Sequence, residues 1–252
     1  MSALVVGFIV FGCAFGGALV GIALHGKLPA HHREADVIDV VKLVMGLLAT
    51  IAALVLSLLI ATAHSSYDTQ ESEVQALGVR IVQLDAILNH YGPDATEARG
   101  LLRQIVASQL ERMWPSEAAS VNLRAPVARE EGEALVERVA NLSATTDAQR
   151  FARSRALQLI TEMGETRGLL YEQAGGSLSW PFFVILVFWV VMLFVGFGVL
   201  TRSNATVLVA LFVGALSVAG AIFLILEMNR PYSGLMKISS APIRGALAAI
   251  SQ

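Results

Sequence analysis

The sequence predicts an all-α polytopic membrane protein with four transmembrane helices and a helical extramembrane bundle between the second and the third. Three observations carry that reading. Four apolar runs, Ala3 to Leu24, Val40 to Ala63, Trp180 to Leu200 and Ala205 to Leu226, are each long enough to cross a bilayer, which takes about 20 residues of helix. Of the 252 residues 55% are hydrophobic and only 15% charged, against about 25% charged in ordinary soluble domains. Between the second and third runs the apolar residues keep the three-and-four spacing of helices, and no strand candidate interrupts them.

The boundaries that follow are 1–63 for two transmembrane helices and their polar connector, 64–179 for the helical domain, 180–226 for a transmembrane hairpin and 227–252 for a juxtamembrane turn and short helix. In the first helix no basic residue precedes the apolar run, so it reads as a retained span and not a cleaved signal. Gly12, Gly16, Gly17 and Gly21 make two overlapping small-residue patterns of the G-x-x-x-G type, predicted to pack against another helix of the same subunit, with dimerisation between subunits as the alternative. The single cysteine, Cys13, has no partner for an intrachain disulfide and is read as helix packing. His25, His31, His32, Asp36 and Asp39 in the connector lack metal-site spacing and read as interfacial polar residues; Asp36 and Asp39 also suit the positive N-terminal end of the second helix.

The second span carries the most information. Gly46, Thr50, Ala53, Ser57, Ala61 and His64 recur at steps of three or four and share one helix face, with Leu54 and its neighbours on the flanks. Such a stripe either lets helices approach closely or lines a water-filled path. Beyond it Val74, Leu77, Ile81, Leu84, Leu88 and Tyr91 form a heptad seam. The seam is read as in phase with the small-residue stripe through Tyr67, which predicts one helix from Asp39 to Tyr91. Gly92 and Pro93 end it and Asp94 is available to cap the next.

That next helix runs to about Trp114, with Ala98, Leu102, Ile105, Leu110 and Met113 on its apolar face. Ser116 to Ala128 reads as a loop, Glu130 to Leu142 as a short amphipathic helix with a solvated acidic side. Ala148 to about Gln173 is a further helix whose predicted buried side is Phe151, Ala156, Leu159, Ile160, Met163 and Leu170, broken by Gly175, Gly176 and Ser177. The third span is rich in phenylalanine without a polar stripe, which predicts a lipid-facing helix with Trp180 near the interface. The fourth has a small face of Ala210, Gly214, Ser217 and Ala221, with Gly214 and Ser217 as packing candidates against an inner helix such as the second. In the tail, Asn229 to Gly234 is a turn, Ser240 a cap and Ala241 to Ile250 a short helix. Arg230 and Lys42 lie beside apolar runs and are candidates for attracting anions.

A net charge of −2 gives no basis for nucleic-acid binding. No P-loop, dinucleotide fingerprint, nucleophile elbow or paired-cysteine motif is present, so the expectation is a non-enzyme without cofactor or metal, partnered by the lipid bilayer.

Several stretches resemble one family. Leu28-Pro29 with His32, Asp39-Val40-Val41-Lys42-Leu43, Gly46-Leu47, Ala49-Thr50, Ala53-Leu54-Val55-Leu56 and Tyr67-Asp68-Thr69-Gln70 are similar to the bestrophin-like membrane-protein family, a domain of unknown function. Leu84-Asp85, Tyr91-Gly92-Pro93 with Arg99, and the tail runs Pro231-Tyr232-Ser233-Gly234 and Ile238-Ser239-Ser240-Ala241-Pro242 look like its other signatures. The resemblance implies a distant likeness to bestrophin anion channels, which are pentamers with cytoplasmic termini, a helical cytosolic part and a pore lined by the second transmembrane helix. It does not carry over calcium gating, because this chain lacks their acidic calcium-clasp run. The function implied is a homo-oligomeric membrane channel passing ions, chloride among them, with Gly46, Thr50, Ala53, Leu54, Ser57 and Ala61 lining the pore. The alternative is a non-conducting scaffold whose helical domain binds a protein. Four spans put both termini and the bundle on one side. Lys27 and Arg33 oppose Arg230, Lys237 and Arg244 in fixing that side, and the family likeness makes it the cytoplasm.

Overall fold

The structure, a computed structural model, describes residues 2–27, 35–114, 125–174, 180–201 and 204–251. The readings made for Pro29, His31, His32, Arg33, residues 116–124, Gly175, Gly176 and Ser177, and for the side chains of Lys27 and Trp180, lie outside the described residues. The described elements are α1 (Ala3–Lys27), α2 (Ala35–Tyr91), a 3-10 turn (Pro93–Ala95), α3 (Thr96–Met113), α4 (Ala125–Ala140), α5 (Asp147–Ala174), α6 (Trp180–Leu200), α7 (Ala205–Met228) and α8 (Ala241–Ile250). All are helical, and four helices are long and apolar enough to span a membrane.

The 57 residues of α2 correspond to about 85 Å at helical rise, nearly three times the roughly 30 Å hydrocarbon core. Its uncharged part can therefore span the bilayer only if the remainder leaves it. Two compact units divide the chain, Met1–Ser65 with Ser177–Asn229, and Ser66–Gly176 with Arg230–Gln252. The tail, set apart in the sequence-based boundaries, belongs to the second unit.

In the first unit α1 packs along α6 and α7. The closest approach is glycine against glycine: a Cβ on Gly21 would strike the Val195 carbonyl, and one on Gly198 would strike that of Ala18. Without hydrocarbon–water contrast to drive association, such close backbone approach is what holds helices together in lipid. Gly17 also meets α6, through Val191 and Val195, whereas Gly12 and Gly16 face open space. Phe212 lies edge-on to both Phe11 and Phe15, with centroids 5.3 and 5.6 Å away, and those two rings stack nearly parallel at 5.8 Å. On α7 the buried line is Ala215, Ala219 and Ile222. The predicted small face lies one residue to its side: Ala210 and Ser217 are exposed, and Gly214 is half-buried against Phe194. α7 packs chiefly on α1. The aromatic residues of α6 divide, with Phe183 and Phe194 buried and Phe182, Phe188 and Phe197 exposed, so this helix is not lipid-facing all round.

The second unit is a helical bundle around Val74, Leu77, Ile81, Leu84, Leu88 and Tyr91 of α2, all buried, with Leu102, Ile105, Leu135, Val139, Leu159 and Ile243 closing over them. Here the driving force is the removal of apolar surface from water. Gly92, at φ 113, makes the turn that ends α2 and stands at the N-cap of the 3-10 turn; at the N-cap of α3 is Ala95, without a side-chain bond, and not the expected Asp94. Thr96 Oγ1 then donates to the Pro93 carbonyl at 2.6 Å. Helix α4 starts at Ala125, inside the predicted loop. Pro126 sits in its first turn, where a missing N–H leaves no intrahelical bond unmade. Phe151, expected inside, is 75% exposed. The buried line of α5 starts with half-buried Ala152 and continues through Ala156, Leu159 and Ile160; Phe151, one residue from it, is rotated by about 100°.

Candidate functional site

The spanning part of α2 has two distinct faces. Met45, Ala52 and Ala63 are buried, and half-buried Leu48, Ala49, Val55, Leu56 and Leu59 pack with Met45 and Ala52 against Leu186, Trp189 and Leu193 of α6. Gly196 of α6 receives the Met45 side chain directly, since a Cβ there would lie 2.6 Å from its sulfur. Leu56 also joins Val10, Phe183 and Ile222, so all four spans meet at this level.

Gly46, Thr50, Ala53, Leu54, Ser57 and Ala61 are all exposed. At 100° per residue the small-residue stripe lies about 130° from the packed face. Thr50 Oγ1 donates to the Gly46 carbonyl at 2.9 Å, so its hydroxyl is held within the helix turn and remains on the surface. Of the most apolar stretch of each span, 11% is buried in α2, against 28%, 33% and 28% in α1, α6 and α7. The second helix is the least covered of the four.

This corrects the phase read from the sequence. From Val74 the covered line steps through buried Gln70 and Ala63, half-buried Leu59 and Leu56, buried Ala52 and half-buried Ala49 to buried Met45, not through the small-residue stripe. Tyr67 sits half-buried at the seam's edge.

The charged candidates belong to different units, Lys42 to the first and Arg230 to the second. Lys42, on the first turns of α2, is exposed and paired with Asp39 at 3.0 Å. Arg230 is exposed, two residues beyond the end of α7. His25 Nδ1 lies 2.7 Å from the Val199 carbonyl near the end of α6. Among the described residues no group of three or more His, Cys, Asp or Glu side chains converges to hold a metal.

In the bundle, Asp85 receives a two-pronged hydrogen bond from Arg99, Nε to Oδ1 at 2.8 Å and Nη2 to Oδ2 at 2.9 Å, and Arg99 Nη1 also donates to Asn89 Oδ1 at 2.8 Å. These bonds hold the Arg99 pKa above its ordinary value, chiefly through the hydrogen bonds to Asp85. Trp114 Nε1 donates to the Ile238 carbonyl at 2.8 Å and its ring lies edge-on to Tyr232 at 5.5 Å. Ile238 N–H in turn donates to the Pro231 carbonyl at 2.8 Å. Arg112 bridges to Glu131 and Ser108, tying α3 to α4. Sequence reasoning missed these latches. For the tail, Tyr232 was visible as an aromatic in a turn with no stated partner.

The runs Leu84-Asp85, Tyr91-Gly92-Pro93 and Pro231 to Pro242 thus mark an ion pair, a helix stop and a docked tail. A family model described as a bestrophin-like domain matches residues 12–243. The chain belongs to the bestrophin-like family. No curated protein and no solved structure matches it. As a bestrophin-like protein with four apolar spanning helices it is a membrane protein of a broadly channel-like family. The matched region runs from α1 into the first turn of α8, so the family pattern takes in both compact units.

Proposed function

We propose that the chain forms a homo-oligomeric channel that conducts ions passively, anions such as chloride among them, with α2 of each copy around a central path. The observation that carries this reading is the bare, mildly polar face of α2. Gly46, Thr50, Ala53, Leu54, Ser57 and Ala61 are exposed in the single chain, while the opposite side is occupied by α6. Hydroxyl groups facing lipid are disfavoured, and the same groups facing a hydrated axis are not. Leu54 and Leu58 on the stripe's flank would narrow that axis to a dewetting constriction. From Leu43 to Ala63 there is no charged residue, which suits passive conduction better than coupled transport, where ionisable residues inside the spans serve as ion or proton sites. Lys42 and Arg230 would raise the local anion concentration, with Asp39 offsetting part of the Lys42 charge. A pentamer in the cell membrane, with the bundle and both termini cytoplasmic, completes the reading by likeness to bestrophin channels.

Chloride efflux from liposomes containing the purified protein tests it. Ser57→Glu on the bare face is expected to abolish efflux and Ser57→Ala to retain it. Equal efflux from the wild type and Ser57→Glu rejects the pore face. A second reading, a scaffold that binds a protein through its bundle, is supported by an open apolar groove of about 370 Å³ lined by Gln75, Gly78, Val79, Val82, Pro242 and Ala246. A monomer without flux in lipid would favour it.

A further inference from the structure

We propose that the loop Ser233–Lys237 is a membrane-surface anchor, with Leu235 and Met236 inserted among the lipids and Lys237 and Arg230 on anionic headgroups. The argument starts from exposure. Leu235 is 75% and Met236 39% exposed, two neighbouring large apolar side chains at the tip of a short loop. The loop is fixed at its base. Pro231, Tyr232 and Ile238 are buried in the bundle, Ile238 N–H donates to the Pro231 carbonyl at 2.8 Å, and Ser233 N–H donates to the Arg230 carbonyl at 3.0 Å. Gly234, at φ 103, supplies the left-handed backbone of the turn between these fixed points. A water-facing bundle gains nothing from presenting this pair, since each apolar side chain left in water forgoes its transfer free energy.

Chain length says which surface the loop can reach. The fourth span ends at Met228, and Leu235 follows seven residues later. Seven extended residues cover at most about 25 Å, and the turn shortens that reach, so the tether allows the tip to meet the headgroup region at the end of that span. Charge agrees. From Asn229 to Gln252 the tail contains Arg230, Lys237 and Arg244 and no aspartate or glutamate, and all three side chains are exposed. A cationic segment beside a span is attracted to anionic lipid over roughly a Debye length, and apolar residues within it add insertion to attraction. The loop combines both, independently of whether α2 lines a pore.

The test uses the full-length protein in vesicles, with Cys13 replaced by alanine and an environment-sensitive fluorophore on Leu235→Cys. In phosphatidylcholine–phosphatidylglycerol vesicles the label is expected to emit to the blue, to be quenched by lipids spin-labelled near the headgroup and to be insensitive to iodide. The same label on Phe151→Cys, an exposed bundle position, reports the aqueous limit. Lys237→Glu is expected to shift the Leu235→Cys label toward that limit in vesicles containing phosphatidylglycerol and to leave it unchanged in phosphatidylcholine alone. A label at position 235 that iodide reaches as readily as at 151 overturns the proposal. So does one shielded from iodide and spin-labelled lipid alike, which would assign the loop to a contact between copies of the chain.

Discussion

The membrane stretch and the bundle stretch of α2 are parts of one helix held by different forces. From Val74 to Tyr91 one face is sealed by six apolar side chains exposed by 5% or less. From Met45 to Ala63 only Met45, Ala52 and Ala63 are buried and a whole face of small residues is bare. Water penalises an uncovered leucine, whereas lipid is as apolar as the leucine itself. The bundle therefore closes over its seam, while the membrane unit relies on a few places where backbones touch, such as Gly21 against Gly198. An uncovered helix face means different things in the two settings: in lipid it leaves room for other copies of the chain.

Four predictions sharpen this contrast, from the largest effect to the smallest. Leu84→Ala, at a fully buried site, is expected to destabilise the bundle by about 4 kcal/mol, from lost burial plus an unfilled cavity. Thermal unfolding in detergent, followed by circular dichroism, measures it. Asp85→Ala leaves the Arg99 guanidinium without its carboxylate in a mostly buried position and should cost about 3 kcal/mol; Arg99→Ala on that background should add little, and a fully additive double mutant would show that the pair is not coupled. Gly21→Ala sets a methyl against the Val195 carbonyl and forces α1 and α6 apart, a loss of about 2 kcal/mol, while Gly12→Ala, facing open space, should leave the melting temperature unchanged. A drop for Gly12→Ala in the assembled protein but not in the isolated chain would identify that glycine with a contact between copies. Phe151→Ser should move stability by under about 0.5 kcal/mol, readable as an unaltered denaturant midpoint.

The four spans, the uninterrupted α2, the bundle seam and the Gly92-Pro93 stop were legible because each rests on a local pattern: run length, three-and-four spacing, or a residue that only one backbone geometry favours. The phase between the stripe and the seam was not. Both obey the same spacing, and steps of three and four chosen freely across Tyr67 can drift from one face to another. The candidate residues Gly46 to Ala61 could be gathered onto one face, yet nothing in their identities states whether that face is covered. Phe151 was misplaced because a large aromatic is assumed to be inside, although Ala152, one residue on, belongs to the packed line. The third span's glycines gave a usable signal that its phenylalanines hid: Gly196 and Gly198 stand in an otherwise bulky helix, and both are contact points. Tail docking lay beyond reach because Trp114 and Ile238 are far apart in sequence and one partner is a main-chain carbonyl.

The Trp114 contact also equips the molecule with an optical gauge. Of its three tryptophans, Trp180 and Trp189 belong to α6, and Trp114 alone sits in the bundle. Its indole is bonded to the tail's backbone and faces the Tyr232 ring. With Trp180 and Trp189 replaced by phenylalanine, the colour and lifetime of the remaining emission would follow the seating of the last twenty residues in real time, without any added dye.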